Sequence, residues 1–289
     1  MQSAAIKFIV QFFRAVPFRC LYALSWLLSF CLFGLTGYRK KVIFSNLQNS
    51  FPNKSSSEIR AIAGQFYRHF ADIVLETLKG LTLPKSTLQQ RFRYRNPEIF
   101  KPFFEKKQSV ILLASHHGNW EWGVLSLSLN DEQAVVGVYK PLKNKELDKY
   151  FNSLRKQWGL HLTDMAHTGR AVVTFKNQPT IFVLIADQTP SDIHNAHWVN
   201  FLQQDTPFLH GMDKLSRQTG YPVFYLEIER VKRGFYEVQF FELCEDPKAT
   251  AEGEITRLYA ERLEATIRKS PANWLWSHRR WKRVRQLGS

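Results

Sequence analysis

Cysteine is scarce in this chain of 289 residues. Cys20, Cys31 and Cys244 are too few and too scattered for a disulfide framework or a zinc-thiolate cluster, and they fit a reducing, cytoplasm-facing location. Acidic residues are in short supply as well: 25 Asp and Glu stand against 40 Lys and Arg, a formal charge of +15. Such an excess points to an anionic partner, and nucleic acid, anionic lipid and an acidic carrier protein all qualify. No Gly-x-Ser-x-Gly elbow occurs anywhere, so a lipid hydrolase of that type would have no nucleophile. Internal repeats and low-complexity segments are also missing.

What the sequence does contain begins with an uncharged run. The nineteen residues from Cys20 to Tyr38 approach the length needed to cross a bilayer core, which favours a retained membrane anchor over a buried core helix. A signal peptide would need a shorter apolar stretch and a small-residue cleavage site, whereas this run ends in Thr-Gly-Tyr-Arg-Lys-Lys. Cations flank it on both sides, Lys7, Arg14 and Arg19 before and Arg39, Lys40 and Lys41 after, so charge does not choose an orientation. A spanning, tilted or in-plane helix all remain open.

Beyond the anchor, Ser55-x-x-Glu58 forms a capping-box pattern. Apolar positions from Ile59 to Val74 then predict an amphipathic helix of about five turns. Apolar runs at 109–114, 134–139, 180–186, 222–228 and 236–241 predict strands, and helical patterns fall at 120–129, 146–158, 169–176, 211–218 and 251–269. Alternating strands and helices, with strands apolar on both faces, predict an α/β fold with a mostly parallel sheet covered by helices. The expected division is a membrane-anchoring helical segment over 1–41 and a catalytic domain over 42–289. Within that domain, 42–95 is helical and 96–289 is the α/β core with a basic tail.

The densest chemical cluster is Ser115-His116-His117-Gly118-Asn119-Trp120-Glu121, where a buried strand ends and a helix begins. Sites in open α/β sheets form at such strand ends. Five positions separate His116 from Glu121, about 140° on a regular helix, so the two meet only if the chain bends between them. Gly118 permits the bend, and Asn119 is a good N-cap for the helix that carries Glu121. A base and an orienting carboxylate without a protein nucleophile suit activation of a substrate hydroxyl. Metal ligation by His116, His117 and Glu121 is the weaker alternative, because adjacent histidines point apart and the HExxH spacing is absent. We therefore expect neither a metal nor a cofactor.

His116 through Glu121 also resembles the HxGNWE form of the His-x4-acid motif of the late lipid A acyltransferases. Asn46-Leu47 with Phe51-Pro52 resembles their NL…FP segment, and Tyr139-Lys140-Pro141 with Asn144, Asp148 and Arg155 resembles their YRP…N…LD…R block. Ala186-Asp187-Gln188 and Pro271-x-x-Trp274-x-Trp276-x-His278-Arg279-Arg280 resemble their DQ and closing P…W.HRR segments. The order of all five agrees. Two positions depart: Lys140 stands where the family usually has Arg, and Phe201-Leu202-Gln203 replaces a common FFG.

The resemblance implies a glycerolipid-acyltransferase type of fold, with His116, Glu121, Arg155 and Asp187 as the catalytic set. It further implies an acyl thioester on acyl carrier protein as donor, a lipid A precursor as acceptor, and residence on the cytoplasmic face of the bacterial inner membrane. Substrate contacts are expected at Asn119, Lys140, Gln188, Arg279 and Arg280. Another membrane lipid, such as a lyso-glycerolipid or an amino-acid lipid, is the alternative acceptor. A basic nucleic-acid-binding protein is the alternative from a different class, but it has no use for the uncharged run, and no nucleic acid is expected.

Overall fold

The capping box at Ser55 and Glu58 forms as the sequence predicts, each side chain meeting the other's backbone N–H. The helix it opens runs over Ser56–Gly80, about seven turns rather than five. Within and beyond the apolar run a second buried face is polar: His69, Asp72, Glu76 and Lys79 repeat at helical spacing along it. In the computed structural model, which describes residues 2–129 and 133–285, that stripe is the seam on which the N-terminus is held.

The helices are α1 (Gln2–Ala15), α2 (Phe18–Phe30), α3 (Lys40–Ser50), α4 (Ser56–Gly80), α5 (Lys85–Arg91), α6 (Lys101–Glu105), α7 (Trp120–Leu127), α8 (Lys145–Lys156), α9 (Thr168–Thr174), α10 (His210–Thr219) and α11 (Glu254–Lys269). The strands are β1 (Phe92–Tyr94), β2 (Val110–Ala114), β3 (Ala134–Tyr139), β4 (His161–Asp164), β5 (Thr180–Ile185), β6 (His197–Phe201), β7 (Gln204–Phe208), β8 (Val223–Lys232) and β9 (Phe235–Cys244). Seven strands form one sheet in the order β1-β9-β8-β2-β5-β3-β4, and β6 with β7 forms a separate hairpin. Every pairing in the large sheet is parallel except β8 with β9. Those two strands are joined through Arg233-Gly234, and Gly234 supplies the positive φ that so tight a turn needs.

The strands alternate between two cores. Ile111 and Leu113 of β2 enter a core shared with α3, α4, α11 and the C-terminal tryptophans, while Val110, Leu112 and Ala114 enter a second core with α7 and β1. Phe182 of β5 enters the first, and Ile181 and Val183 the second. Burial on both faces is why these strands read as continuous apolar runs. The small hairpin turns through Leu202 and Gln203, both left-handed and neither glycine, at the position where the family's glycine is missing.

The second helix, α2, is inside out relative to a water-soluble one. On α2 the buried residues are Leu21, Ser25 and Ser29, whereas Leu24, Trp26, Leu27 and Phe30 are exposed. Together with the π-helical turn Cys31–Leu35, it gives 18 residues apolar enough to cross a membrane and only 17% buried within the protein. A core helix would bury its large side chains; this one turns them outward, as a lipid-facing helix does. Its polar side faces the stripe of α4. Ser25 donates to Asp72, Tyr22 donates to Glu76 at 2.9 Å, and Lys79 Nζ donates to the carbonyls of Phe13, Arg14 and Val16, closing the end of α1.

These bonds bear on the division at residue 41. Removing residues 1–40 strips Lys79 of all three carbonyls and takes one donor each from Glu76 and Asp72, which keep Asn119 and Tyr236, and Arg230 and Arg233, respectively; leaving a buried polar group such as Lys79 unpaired costs about 1–3 kcal/mol. The shortened chain is therefore expected to melt well below the full chain in the same detergent. Equal melting temperatures by circular dichroism would show that the catalytic part stands free of the anchor.

Candidate active site

Strands β2 and β5 are neighbours in register, Ala114 opposite Ile185, so the residues just beyond them emerge side by side. His116 and Asp187 meet there. The imidazole Nδ1 lies 2.6 Å from Asp187 Oδ1, and the His116 backbone N–H donates to Oδ2 at 2.9 Å. An ionised carboxylate can only accept, so Nδ1 carries the proton and Nε2 is left as the lone-pair nitrogen. The amide of Gln188, one residue on, donates to that Nε2 at 3.2 Å. Trp120 meets the ring edge to face, with centroids 5.1 Å apart.

A third donor reaches Asp187 from the far end of the chain: the Trp274 indole N–H, at 2.8 Å from Oδ2. Burial works against the charge on Asp187, but the His116 ring, its backbone N–H and Trp274 outweigh it and hold the carboxyl at about 2. Trp274 is fixed in turn. It bridges His117 in antiparallel fashion, Gly118 N–H donates to Asn273, and Leu275 N–H donates to His116. The Asn46 amide donates to the carbonyls of Trp276 and His278, Arg39 donates to Ser277, and Phe51 packs on Trp276. The segments at 46–51 and 271–280 thus form one clamp beneath the pair.

Gly118 makes the turn between strand and helix with φ +65°, and a Cβ there would lie 2.7 Å from Ile228 Cγ2. Asn119 caps α7, accepting from Trp122 N–H, and its amide donates to Glu76 at 2.7 Å. Glu76 also accepts from Tyr236 and Tyr22, and burial pushes its carboxyl up. The polar stripe of α4 therefore runs from the anchor to the loop that carries His116.

Glu121 lies in the first turn of α7, as the sequence predicts, but it does not take the place beside the imidazole. Arg155 of α8 reaches it instead, with Nη2 at 3.1 and 3.0 Å from the two carboxylate oxygens. The chain does bend at Gly118; the turn that follows aims Glu121 toward α8, and the adjacent parallel strand delivers Asp187 to Nδ1. His116, Glu121 and Arg155 line a cavity of about 1390 Å³ walled largely by apolar residues such as Ile73, Val124, Leu160, Leu162, Met212 and Leu215, with Asp187 buried behind the imidazole. Single small-molecule pockets run roughly 300–1,000 Å³, so this space suits something larger.

The expected substrate contacts divide. Lys140 and Gln188 line the cavity, whereas Arg279 and Arg280 do not. Arg280 is wholly buried over the Phe208 ring with no hydrogen-bond partner for its guanidinium among the described residues, and burial lowers its pKa to about 10. Asn119 is also fully buried, with both ends of its amide committed to the loop and to Glu76. His117 is turned away from the cavity, its ring between the carbonyls of Ile228 and Ser270. The contact of the Trp274 indole with Asp187 and the stripe on α4 are not read from the sequence. Four polar residues at helical spacing were the available signal for the stripe; for Trp274 it was its place in the closing P…W.HRR segment.

A base with an orienting carboxylate, and no serine or cysteine hydrogen-bonded to it among the described residues, is equipped to move an acyl group onto a hydroxyl that a substrate brings, the work of an acyltransferase. The chain belongs to the bacterial lipid A biosynthesis acyltransferases, whose family model matches residues 3–283. No curated protein matches it significantly.

Proposed function

We propose that this protein transfers a fatty acyl chain from an acyl thioester on acyl carrier protein to a hydroxyl of a lipid A precursor, at the cytoplasmic face of the bacterial inner membrane. The observation that carries the proposal is the 2.6 Å contact between Asp187 and the Nδ1 of His116, which lines the apolar cavity. His116 Nε2 takes the acceptor's hydroxyl proton once Gln188 yields its place, and the oxygen attacks the thioester carbonyl. The tetrahedral intermediate collapses, the carbon–sulfur bond breaks, and the imidazolium returns the proton to the departing thiolate. Asp187 stabilises the imidazolium in between.

Glu121 fixes the Arg155 guanidinium in the cavity wall, where its remaining N–H groups face a phosphate of the acceptor or the developing oxyanion. The donor assignment is supported by the net charge of +15 and by Lys140 and Lys214 on the cavity lining, which suit an acidic carrier. The outward-facing α2 supports a membrane-embedded acceptor.

Purified full-length enzyme in detergent, supplied with acyl carrier protein thioester and a lipid A precursor, is expected to give an acceptor heavier by one acyl chain in mass spectrometry. Its rate at limiting donor should fall as salt rises, because charge steering is screened over about 10 Å at 0.1 M salt. Coenzyme A thioester used equally well, with no salt dependence, removes the carrier from the proposal. A lyso-glycerolipid or amino-acid lipid acylated in place of the precursor reassigns the acceptor.

A further inference from the structure

We infer that a divalent metal site, suited to zinc, joins the small hairpin to the two helices behind it, built from His197, His210 and Glu252 with the buried carboxylate of Asp213 beside them. None of these residues belongs to the active-site motifs. His197 opens β6 opposite Phe208, the last residue of β7, and His210 opens α10 two residues later, so the hairpin register brings the two rings together. His197 Nε2 and His210 Nδ1 stand 3.1 Å apart. Two nitrogens each about 2.0–2.1 Å from a tetrahedral zinc ion lie ~3.3 Å apart, so small movements admit the ion. Glu252 completes a trio whose ligand atoms all fall within 4.8 Å of one another. Gly253, left-handed at φ +84°, lets this turn approach, since a Cβ there would lie 3.2 Å from His197 Nδ1.

Asp213 supplies the independent observation. It sits one helical turn after His210 on α10, wholly buried, with Oδ2 at 3.7 Å from His197 Nε2. Neither carboxylate oxygen has a hydrogen-bond partner among the described residues. A simple hydrogen bond between the two imidazoles accounts for one proton and leaves that carboxylate with only the His197 ring, at 3.7 Å, to offset its charge in a dry interior, which is costly. A cation held by the two rings and Glu252, with Asp213 beside His197, offsets that buried charge. Imidazole and carboxylate together suit zinc among the common divalent ions.

Such an ion would be structural. It would fasten β6, α10 and the start of α11, and α10 contributes Met212, Lys214, Leu215 and Gln218 to the cavity wall. Phe201, at the other end of β6, packs on Trp274. Metal loading would therefore stiffen the cavity wall and the support of the active site without touching the reacting atoms.

The test uses the full-length chain in detergent, stripped with a chelator, exposed to zinc chloride and desalted. We expect about one zinc per chain to be retained and the melting temperature to rise by several degrees. His210→Ala, with its fold checked by circular dichroism, is expected to lose both the retained zinc and the thermal response, while His161→Ala, an exposed histidine outside the cluster, keeps both. Glu252→Gln, at an exposed turn where misfolding is not a concern, should weaken retention about tenfold or more. Wild-type protein that retains no zinc, or folded variants that retain it as wild type does, would overturn the inference.

Discussion

His116→Ala is expected to lower acyl transfer by about 10²–10⁴-fold while the protein remains folded and membrane-bound. The expectation rests on position. His116 follows the end of the central strand β2 and lines the cavity, its Nδ1 proton is committed to Asp187, and its Nε2 meets only the Gln188 amide among the described residues. Few contacts of the core depend on the ring, which lies at the cavity edge beside Trp120 and Gln188, so the loss should appear in turnover rather than in melting temperature. His117→Ala is the matched control. Its ring is buried between two carbonyls, so removing it should lower stability and leave turnover per folded molecule far less changed. Product would be measured by mass spectrometry on purified variants. A folded His116→Ala enzyme within a few-fold of wild type would falsify the general-base assignment.

Asp187→Asn is expected to cost about as much, approaching ~10⁴-fold by analogy with orienting carboxylates in hydrolase triads. The amide can donate where the carboxylate accepts, which turns the imidazole to the wrong tautomer and leaves the imidazolium without its counter-charge. The carboxylate is held at about 2, below the ordinary aspartate value, and this fixes the sign of its pH dependence. Its contribution to stability is fully present above the ordinary value near 4, fades as pH falls toward about 2, and should be absent from the acid melting curve of Asp187→Asn.

Glu121→Gln provides the contrast, since it loosens Arg155 and leaves Asp187 on the ring. It should impair transfer less than Asp187→Asn and should raise KM for a phosphorylated acceptor. If Glu121→Gln proves as inactive as His116→Ala and Asp187→Asn is mild, the roles of the two carboxylates are exchanged.

The sequence by itself determined the elements that local chemistry writes. Strands buried on both faces show as unbroken apolar runs, and so β2, β3, β5, β8 and β9 were each legible within a few residues. The cap at Ser55, the bend at Gly118 and the uncharged N-terminal run were legible for the same reason, since each is fixed by neighbours in the chain. Short β1 and β4, the β6–β7 hairpin and the last two turns of α4 were not, because what stabilises them is distant. The polar face of α4 looks like the end of a buried helix until Tyr22, Ser25, Asn119 and Tyr236 arrive to satisfy it.

The partner of His116 was likewise a tertiary decision. Five residues of local chain suggested Glu121, but parallel pairing of β2 with β5 brings a carboxylate from 71 positions away to the ring, and the C-terminal clamp brings an indole to that carboxylate. Local sequence specifies which groups can do chemistry, because residue type and nearby backbone set their reach. Which of them meet is set by strand order and register, and no local pattern in a single sequence encodes those.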